Sequence, residues 1–145
     1  MLDALLRRLT GPASAPAAPE TGLALAALLV RLARADGDYA EVERDRIDKV
    51  LMAQFGLARL SAADLRMRGE RLEADSPDTV RFTRALKDSV PLEERVGLLE
   101  AMWSVVLADG VRDDDEDRLM RLVANLLGLS DVESAQARRR AGREA

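Results

Sequence analysis

Apolar residues recur every three or four positions along most of this chain, which is the spacing of helices that bury one face. Glycine, proline and capping residues separate these stripes at intervals typical of short helices. No stretch alternates apolar and polar residues for long enough to predict a strand. The pattern therefore predicts an all-α protein, a compact bundle of about seven helices. The positions expected to face inward include Leu28, Leu32, Ile47, Val50, Phe55, Val80, Phe82, Leu99, Trp103, Leu122 and Val123.

Capping residues predict where several of these helices begin. Ser61 is expected to cap the helix that carries Leu65, and the Ser-Pro pair at 76–77 is a start signal for the next helix. Ser130 and Glu133 form a capping-box pattern for the last helix, because each can bond the backbone N–H of the other.

Shifts in composition divide the chain into four segments. Residues 1–9 have the pattern of a short amphipathic helix, and residues 10–21 form a linker rich in proline, alanine and glycine. Residues 22–136 form the helical domain, and residues 137–145 are expected to be a basic, frayed tail. The first segment could dock on the domain, on a second copy or on a lipid surface, and the sequence leaves these choices open.

The chain has no cysteine and no histidine, which excludes thiolate metal sites, cysteine nucleophiles and the commonest general base. No phosphate-binding loop or nucleophile elbow is present, so we expect a protein that is not an enzyme and requires no cofactor. A metal held by oxygen ligands alone would be a hard divalent cation, calcium, magnesium or manganese.

Charge and hydropathy bear on partners and location. The net charge is −4, and arginines crowd the last residues, so the body of the domain is more acidic still. An acidic body is unsuited to nucleic acid, whereas a protein partner or self-association fits it. No apolar run reaches the roughly 20 residues of a membrane span, and the N-terminus lacks a signal-peptide pattern. We therefore expect a cytoplasmic protein. Peripheral membrane contact is possible, but nothing in the sequence supports it.

An internal repeat is the most informative feature of the sequence. The motif A-D-G-x(5)-E occurs at residues 35–43 and again at residues 108–116, each time between two apolar helical stripes. The flanking apolar positions match as well, so each copy is a helical hairpin. Two pseudo-symmetric hairpins are therefore expected within the bundle.

The four shared acids, Asp36, Glu43, Asp109 and Glu116, lie three or four residues from buried apolar positions. At that spacing a helical side chain lies on the same face, so all four are expected to point into the hairpins. A buried carboxylate has to be hydrogen-bonded, paired, neutralised or bound to a cation. A calcium EF-hand is excluded, since neither turn has glycine at its sixth position or glutamate at its twelfth.

A purely structural interpretation stays open beside the cation site. Asp-Gly pairs commonly end helices, and Asp38 with Glu41, like Asp113 with Glu116, fits a capping box that needs no ligand. In that case the domain is a non-catalytic scaffold for protein interaction.

The duplicated motif, Ala35–Glu43 and Ala108–Glu116, resembles the TerB-like family of tellurite resistance over roughly residues 22–130. That family includes small bacterial proteins and is related to the N-terminal region of membrane-anchored J-domain co-chaperones. The resemblance implies an all-helical fold with an internal pseudo-two-fold, and a role in divalent-cation binding or stress response. It also implies Asp36, Glu43, Asp109 and Glu116 as the metal ligands. Val111 stands where the first copy has Asp38, so the two turns need not be equivalent.

Overall fold

The structure is a computed structural model that describes residues 20–110 and 114–144. This part of the chain contains seven helices and no strand. The all-α prediction is confirmed. The predicted N-terminal helix at 1–9 and nearly all of the linker lie outside the described residues. The helices are α1 Thr21–Arg34, α2 Glu41–Phe55, α3 Arg59–Asp75, α4 Thr79–Ser89, α5 Leu92–Val106, α6 Asp114–Leu126 and α7 Asp131–Glu144.

Helix α1 lies at the centre of the fold. Residues 24–30 are alanine, leucine and valine, and every one of them is buried. α1 contacts α2, α3, α4, α5 and α6, while α5 also packs against α7. The side chains around α1 include Ile47, Phe82, Leu99 and Met120, all fully buried. Each such side chain contributes roughly 1.5–3 kcal/mol relative to exposure, so this shared core is what fixes the two hairpins relative to each other.

Helix α3 crosses close to α1 at Gly69. A Cβ atom at this position would lie 2.7 Å from the Cβ of Ala26 and 2.8 Å from its carbonyl carbon. Only glycine fits this crossing without moving the helices apart. One turn later along α3, Glu73 is buried and accepts a hydrogen bond from Arg34 Nη1 at 2.6 Å. The close crossing thus brings an acceptor to the end of α1.

Three of the predicted inward positions are wrong. Phe55, Val80 and Leu122 are 37%, 46% and 45% exposed. Phe55 is the last residue of α2, and Val80 follows Thr79, which takes the buried position at the start of α4. Leu122 lines an open pocket beside Arg31 instead of entering the core.

Two predicted helix starts are also shifted. α3 begins at Arg59, so Ser61 lies inside its first turn and does not cap it. α4 begins after the Ser-Pro pair at 76–77, because the side chain of Asp78 accepts the N–H of Arg81 at 3.1 Å and serves as the cap.

The start of α7 is confirmed, and its end differs from the prediction. Ser130 N donates to Glu133 Oε1 at 3.0 Å, and Glu133 N donates to Ser130 Oγ at 3.1 Å, which completes the capping box. Residues 137–144 of the expected frayed tail at 137–145 instead continue the helix. Ala137 and Ala141 are buried and hold these turns against the domain. No helix in the described part of the chain has the length and apolar character needed to cross a membrane.

Candidate metal centre

The two matched turns have the same local backbone structure. In the first, Gly37 N donates to Arg34 O at 2.9 Å, and in the second, Gly110 N donates to Leu107 O at 3.1 Å. Both glycines have positive φ, 83° and 73°, in the left-handed region that strains any residue with a Cβ. The repeated A-D-G sequence therefore encodes one kind of turn twice, and each turn places its aspartate two or three residues beyond the end of a helix.

Asp36 and Asp109 are partly buried in these turns. Asp36 Oδ1 accepts the backbone N–H of Asp38 at 2.8 Å, which orients the carboxylate within the first turn. A negative charge at the C-terminal end of a helix faces the negative end of the helix dipole. The position is therefore favourable for an aspartate only if something positive lies nearby.

Glu43 and Glu116 each occupy the third position of a helix, in α2 and α6, and both are fully buried. Glu43 Oε1 accepts the N–H of Ala40 at 3.1 Å. The prediction that Asp38 and Glu41 form the capping box is therefore wrong, because Glu43 makes the reciprocal bond. Its second oxygen, Oε2, is buried without a hydrogen-bond partner among the described residues.

The four predicted acids lie together in one cluster, which we call the carboxylate cluster (Asp36, Glu43, Asp109 and Glu116). One oxygen each from Asp36, Glu43 and Asp109 lies within 4.8 Å of the other two. Glu116 is not part of that closest set, but it interacts electrostatically with all three. Each hairpin supplies one aspartate and one glutamate, so the two turns meet at a single site.

Burial and mutual repulsion shift the ionisation of both glutamates. Burial raises the pKa of Glu43 to about 7, against the opposing effect of its bond from Ala40, and the charges of Asp109 and Asp36 raise it further. Burial raises the pKa of Glu116 to about 8, and repulsion from Asp36 and Asp109 acts in the same direction. The cluster therefore takes up positive charge readily, either as protons or as a cation.

The arginines nearest to the first turn are engaged elsewhere. Arg34 pairs with a glutamate of α3, and Arg44 Nη1 donates to the carbonyl of Tyr39 at 2.9 Å. Both guanidinium groups also lie 5.1 Å from the centre of the Tyr39 ring. Among the described residues, no lysine or arginine forms an ion pair with Asp36 or Glu43.

A polar network that the sequence analysis missed holds the first turn against α3. Tyr39 Oη donates to Glu70 Oε2 at 2.7 Å, and Arg66 bonds both Glu70 at 3.1 Å and Asp48 at 2.7 Å. Burial and the bond to Glu70 raise the pKa of Tyr39, so its hydroxyl stays a donor at neutral pH. Asp48 and Arg66 are 18 positions apart, and no local pattern predicts such a contact.

The spacing of the cluster suits a hard cation. Carboxylate oxygens bind calcium at about 2.3–2.6 Å and magnesium at about 2.0–2.1 Å, so two oxygens on opposite sides of an ion are about 4–5 Å apart. The oxygens of Asp36, Glu43 and Asp109 lie within 4.8 Å of one another, which is close enough for all three to contact one ion. Backbone carbonyls and water would have to complete the coordination, since three or four carboxylates do not fill it.

Comparison with known proteins finds one family. The sequence profile described as "Tellurite resistance protein TerB" matches residues 22–139, which includes both turns and all four acids. No curated protein sequence and no solved structure matches the chain significantly.

Proposed function

The chain belongs to the TerB family, and from this premise we propose that it is a non-catalytic module that binds a divalent cation in the carboxylate cluster, in a tellurite-resistance type of stress response. The observation that carries the proposal is Glu43 Oε2. This oxygen is fully buried and has no hydrogen-bond partner in the described chain, and the carboxylate to which it belongs supplies one of the ligand atoms that lie within 4.8 Å of one another.

Electrostatics favours a cation at this place. Like charges that are gathered out of water repel one another, and a buried charge without compensation is costly. A divalent ion would satisfy the open oxygen of Glu43 and offset the repulsion from Asp36 and Asp109. The chain offers only oxygen ligands there and has no histidine or cysteine at all, so the ion would be calcium, magnesium or manganese.

The expected effect of the ion follows from where the ligands come from. Asp36 lies after α1 and Glu43 in α2, whereas Asp109 lies after α5. A cation bound by all three would tie the first turn to the second. Binding would then stabilise the contact between the two hairpins and supply the link between ion level and stress response.

Titration calorimetry and thermal melting with calcium, magnesium and manganese test the proposal. We expect heat of binding and a higher melting temperature, since an ion at 100 times its dissociation constant stabilises the native state by about 2.7 kcal/mol. Asp36→Asn and Asp109→Asn should each weaken binding, because each hairpin contributes a ligand. Asp45→Asn, an exposed acid of α2, is the matched control and should bind normally.

Two results would count against a cation site. One is the absence of both heat and melting shift at millimolar metal. The other is a cation effect that Asp45→Asn reduces as much as Asp109→Asn does, because that result would indicate diffuse attraction to an acidic surface.

A scaffold without a cation is the second candidate, and two contacts favour it. Asp36 Oδ1 and Glu43 Oε1 each accept a backbone N–H and so already serve the local structure. On this alternative, Asp36→Asn lowers the melting temperature by the same amount with and without metal, and the domain acts by binding a protein partner or a second copy.

A further inference from the structure

A second pocket lies away from the carboxylate cluster, between α5, α6 and α7. Its volume is about 660 Å³, within the range of sites for small molecules, and none of the four clustered acids lines it. It is lined by one aromatic residue, by small and apolar residues, by three arginines and by two aspartates, Asp117 and Asp131. The lining residues on which the inference rests are Trp103, Leu107, Arg121, Ser134, Arg138 and Arg139.

The floor of this pocket is a fixed arrangement of polar and aromatic groups. Trp103 is only 5% exposed, and its Nε1–H donates to Ser134 Oγ at 3.2 Å. The guanidinium of Arg138 lies over the indole ring, with its carbon 5.1 Å from the ring centre. Stacking uses the face of a guanidinium and leaves the N–H groups on its edge directed sideways.

Those N–H groups have no ion-pair partner among the residues that the structure describes. Among the described residues, no carboxylate is within ion-pair distance of Arg121, Arg138 or Arg139. Two aspartates also line the pocket. Asp131 precedes Arg138 by seven residues on α7, which is about 10 Å along the helix, and Asp117 lies on α6, one turn before Arg121 and on a different helix from Arg138 and Arg139. The basic end of the pocket is therefore formed by Arg138 and Arg139, neither of which forms an ion pair with a carboxylate in the described part of the chain.

We propose that this pocket binds a small organic anion, one that carries a carboxylate or phosphate group on an apolar body. Guanidinium edges match the planar pair of oxygens in such groups and bind them through two parallel hydrogen bonds. Arg138 and Arg139 hold the anionic group, and the apolar body rests against Leu107 and Trp103. The site is separate from the proposed cation site, and neither depends on the other.

The chain has a single tryptophan, so its indole N–H gives one signal in a nitrogen–proton NMR spectrum and reports on the pocket floor directly. The probes are benzoate and phenyl phosphate, which separate a carboxylate from a phosphate site. Benzyl alcohol lacks the charge, and inorganic phosphate lacks the apolar body. We expect a saturable shift with at least one of the two organic anions, with a dissociation constant on the order of 1 mM or tighter, at fixed ionic strength.

Two neighbouring arginines provide matched variants. Arg139→Gln should weaken binding about tenfold, because a hydrogen bond to a charged group is lost. Arg140→Gln removes the same charge from the next position of the helix, outside the pocket lining, and should leave affinity unchanged. Arg138→Lys keeps the charge but loses the planar guanidinium, which can donate two parallel hydrogen bonds, so this variant should also bind the anion more weakly. Arg139 and Arg140 are both exposed, so neither change disturbs the core.

Three results would overturn the proposal. The first is no saturable shift with either organic anion. The second is an equal shift with benzyl alcohol, which would indicate apolar binding without charge recognition. The third is equal loss in Arg139→Gln and Arg140→Gln, which would indicate general attraction of anions to the basic helix.

Discussion

Replacing Glu43 with glutamine removes one charge from the carboxylate cluster and changes little else. Glutamine has nearly the same shape, and its carbonyl oxygen can still accept the N–H of Ala40, as Glu43 Oε1 does at 3.1 Å. The new amide NH₂ takes the place of Oε2, which has no hydrogen-bond partner in the described chain. There it can donate to the carboxylates of Asp36 or Asp109, which belong to the same close group.

The effect on stability depends on pH. The pKa of Glu43 is 4.5 in the reference state and about 7 in the fold. The folded protein therefore holds more protons than the unfolded chain between these values, and stability falls as pH rises from about 4.5 to about 7. One pKa unit corresponds to about 1.4 kcal/mol, so ionised Glu43 costs about 3 kcal/mol above pH 7. Glu43→Gln should recover most of that free energy at alkaline pH and almost none at pH near 4.5.

Urea denaturation in a chelator-containing buffer, repeated between about pH 5 and pH 8.5, measures this difference. Glu41→Gln is the control, because Glu41 is exposed two residues earlier in α2. It should change stability by only a few tenths of a kcal/mol, through the helix dipole, at every pH. Saturating calcium or magnesium should stabilise the wild type at pH 8 more than the variant, since the ion compensates for a charge that the variant no longer has.

A loss of stability in Glu43→Gln that is the same at both ends of the pH range would refute this reasoning. Such a result would mean that the fold requires the charge or the exact side-chain geometry of Glu43, and that burying the ionised carboxylate has no electrostatic cost.

Two further predictions concern the scaffold. Gly69→Ala should destabilise the domain by about 1–3 kcal/mol, because the added Cβ would lie 2.7 Å from an atom of α1. Gly97→Ala is the control, because a Cβ at this position meets nothing within 4 Å, and it should instead stabilise α5 by up to about 1 kcal/mol. Equal changes of melting temperature in Gly69→Ala and Gly97→Ala would contradict the close crossing of α3 and α1. Ser130→Ala should cost about 1 kcal/mol in urea denaturation through loss of the bond from Glu133 N, and an unchanged midpoint would show that this cap contributes nothing.

Local patterns in the sequence were sufficient to predict the helices and the position of the acids. Periodicity identified the buried stripe of α1. The spacing of Glu43 and Glu116 from apolar positions indicated that both are buried, and in the structure both are 0% exposed. That the two turns meet in a single cluster did not follow, because it depends on how α1 and α5 pack. Whether a cation occupies the cluster stays a prediction.

The errors also have physical causes. Capping propensity favoured Ser61, but a helix can begin earlier when the exposed residues before it adopt helical backbone angles, as Arg59 does. Apolar periodicity placed Val80 inside, whereas Thr79 is buried because its hydroxyl accepts a hydrogen bond from Arg31 of α1. A contact between residues 48 positions apart has no signature in either local segment.

The burial of residues 24–30 of α1 on every side has a consequence for how the repeat can be divided. A helical segment with apolar side chains on every side has no face suited to water, so the first hairpin excised alone would expose residues 24–30 of α1 to solvent. The duplicated halves are therefore not separable modules, and truncation between α4 and α5 would yield an insoluble or self-associating fragment. Unfolding should proceed as one cooperative transition in which both turns lose their structure together.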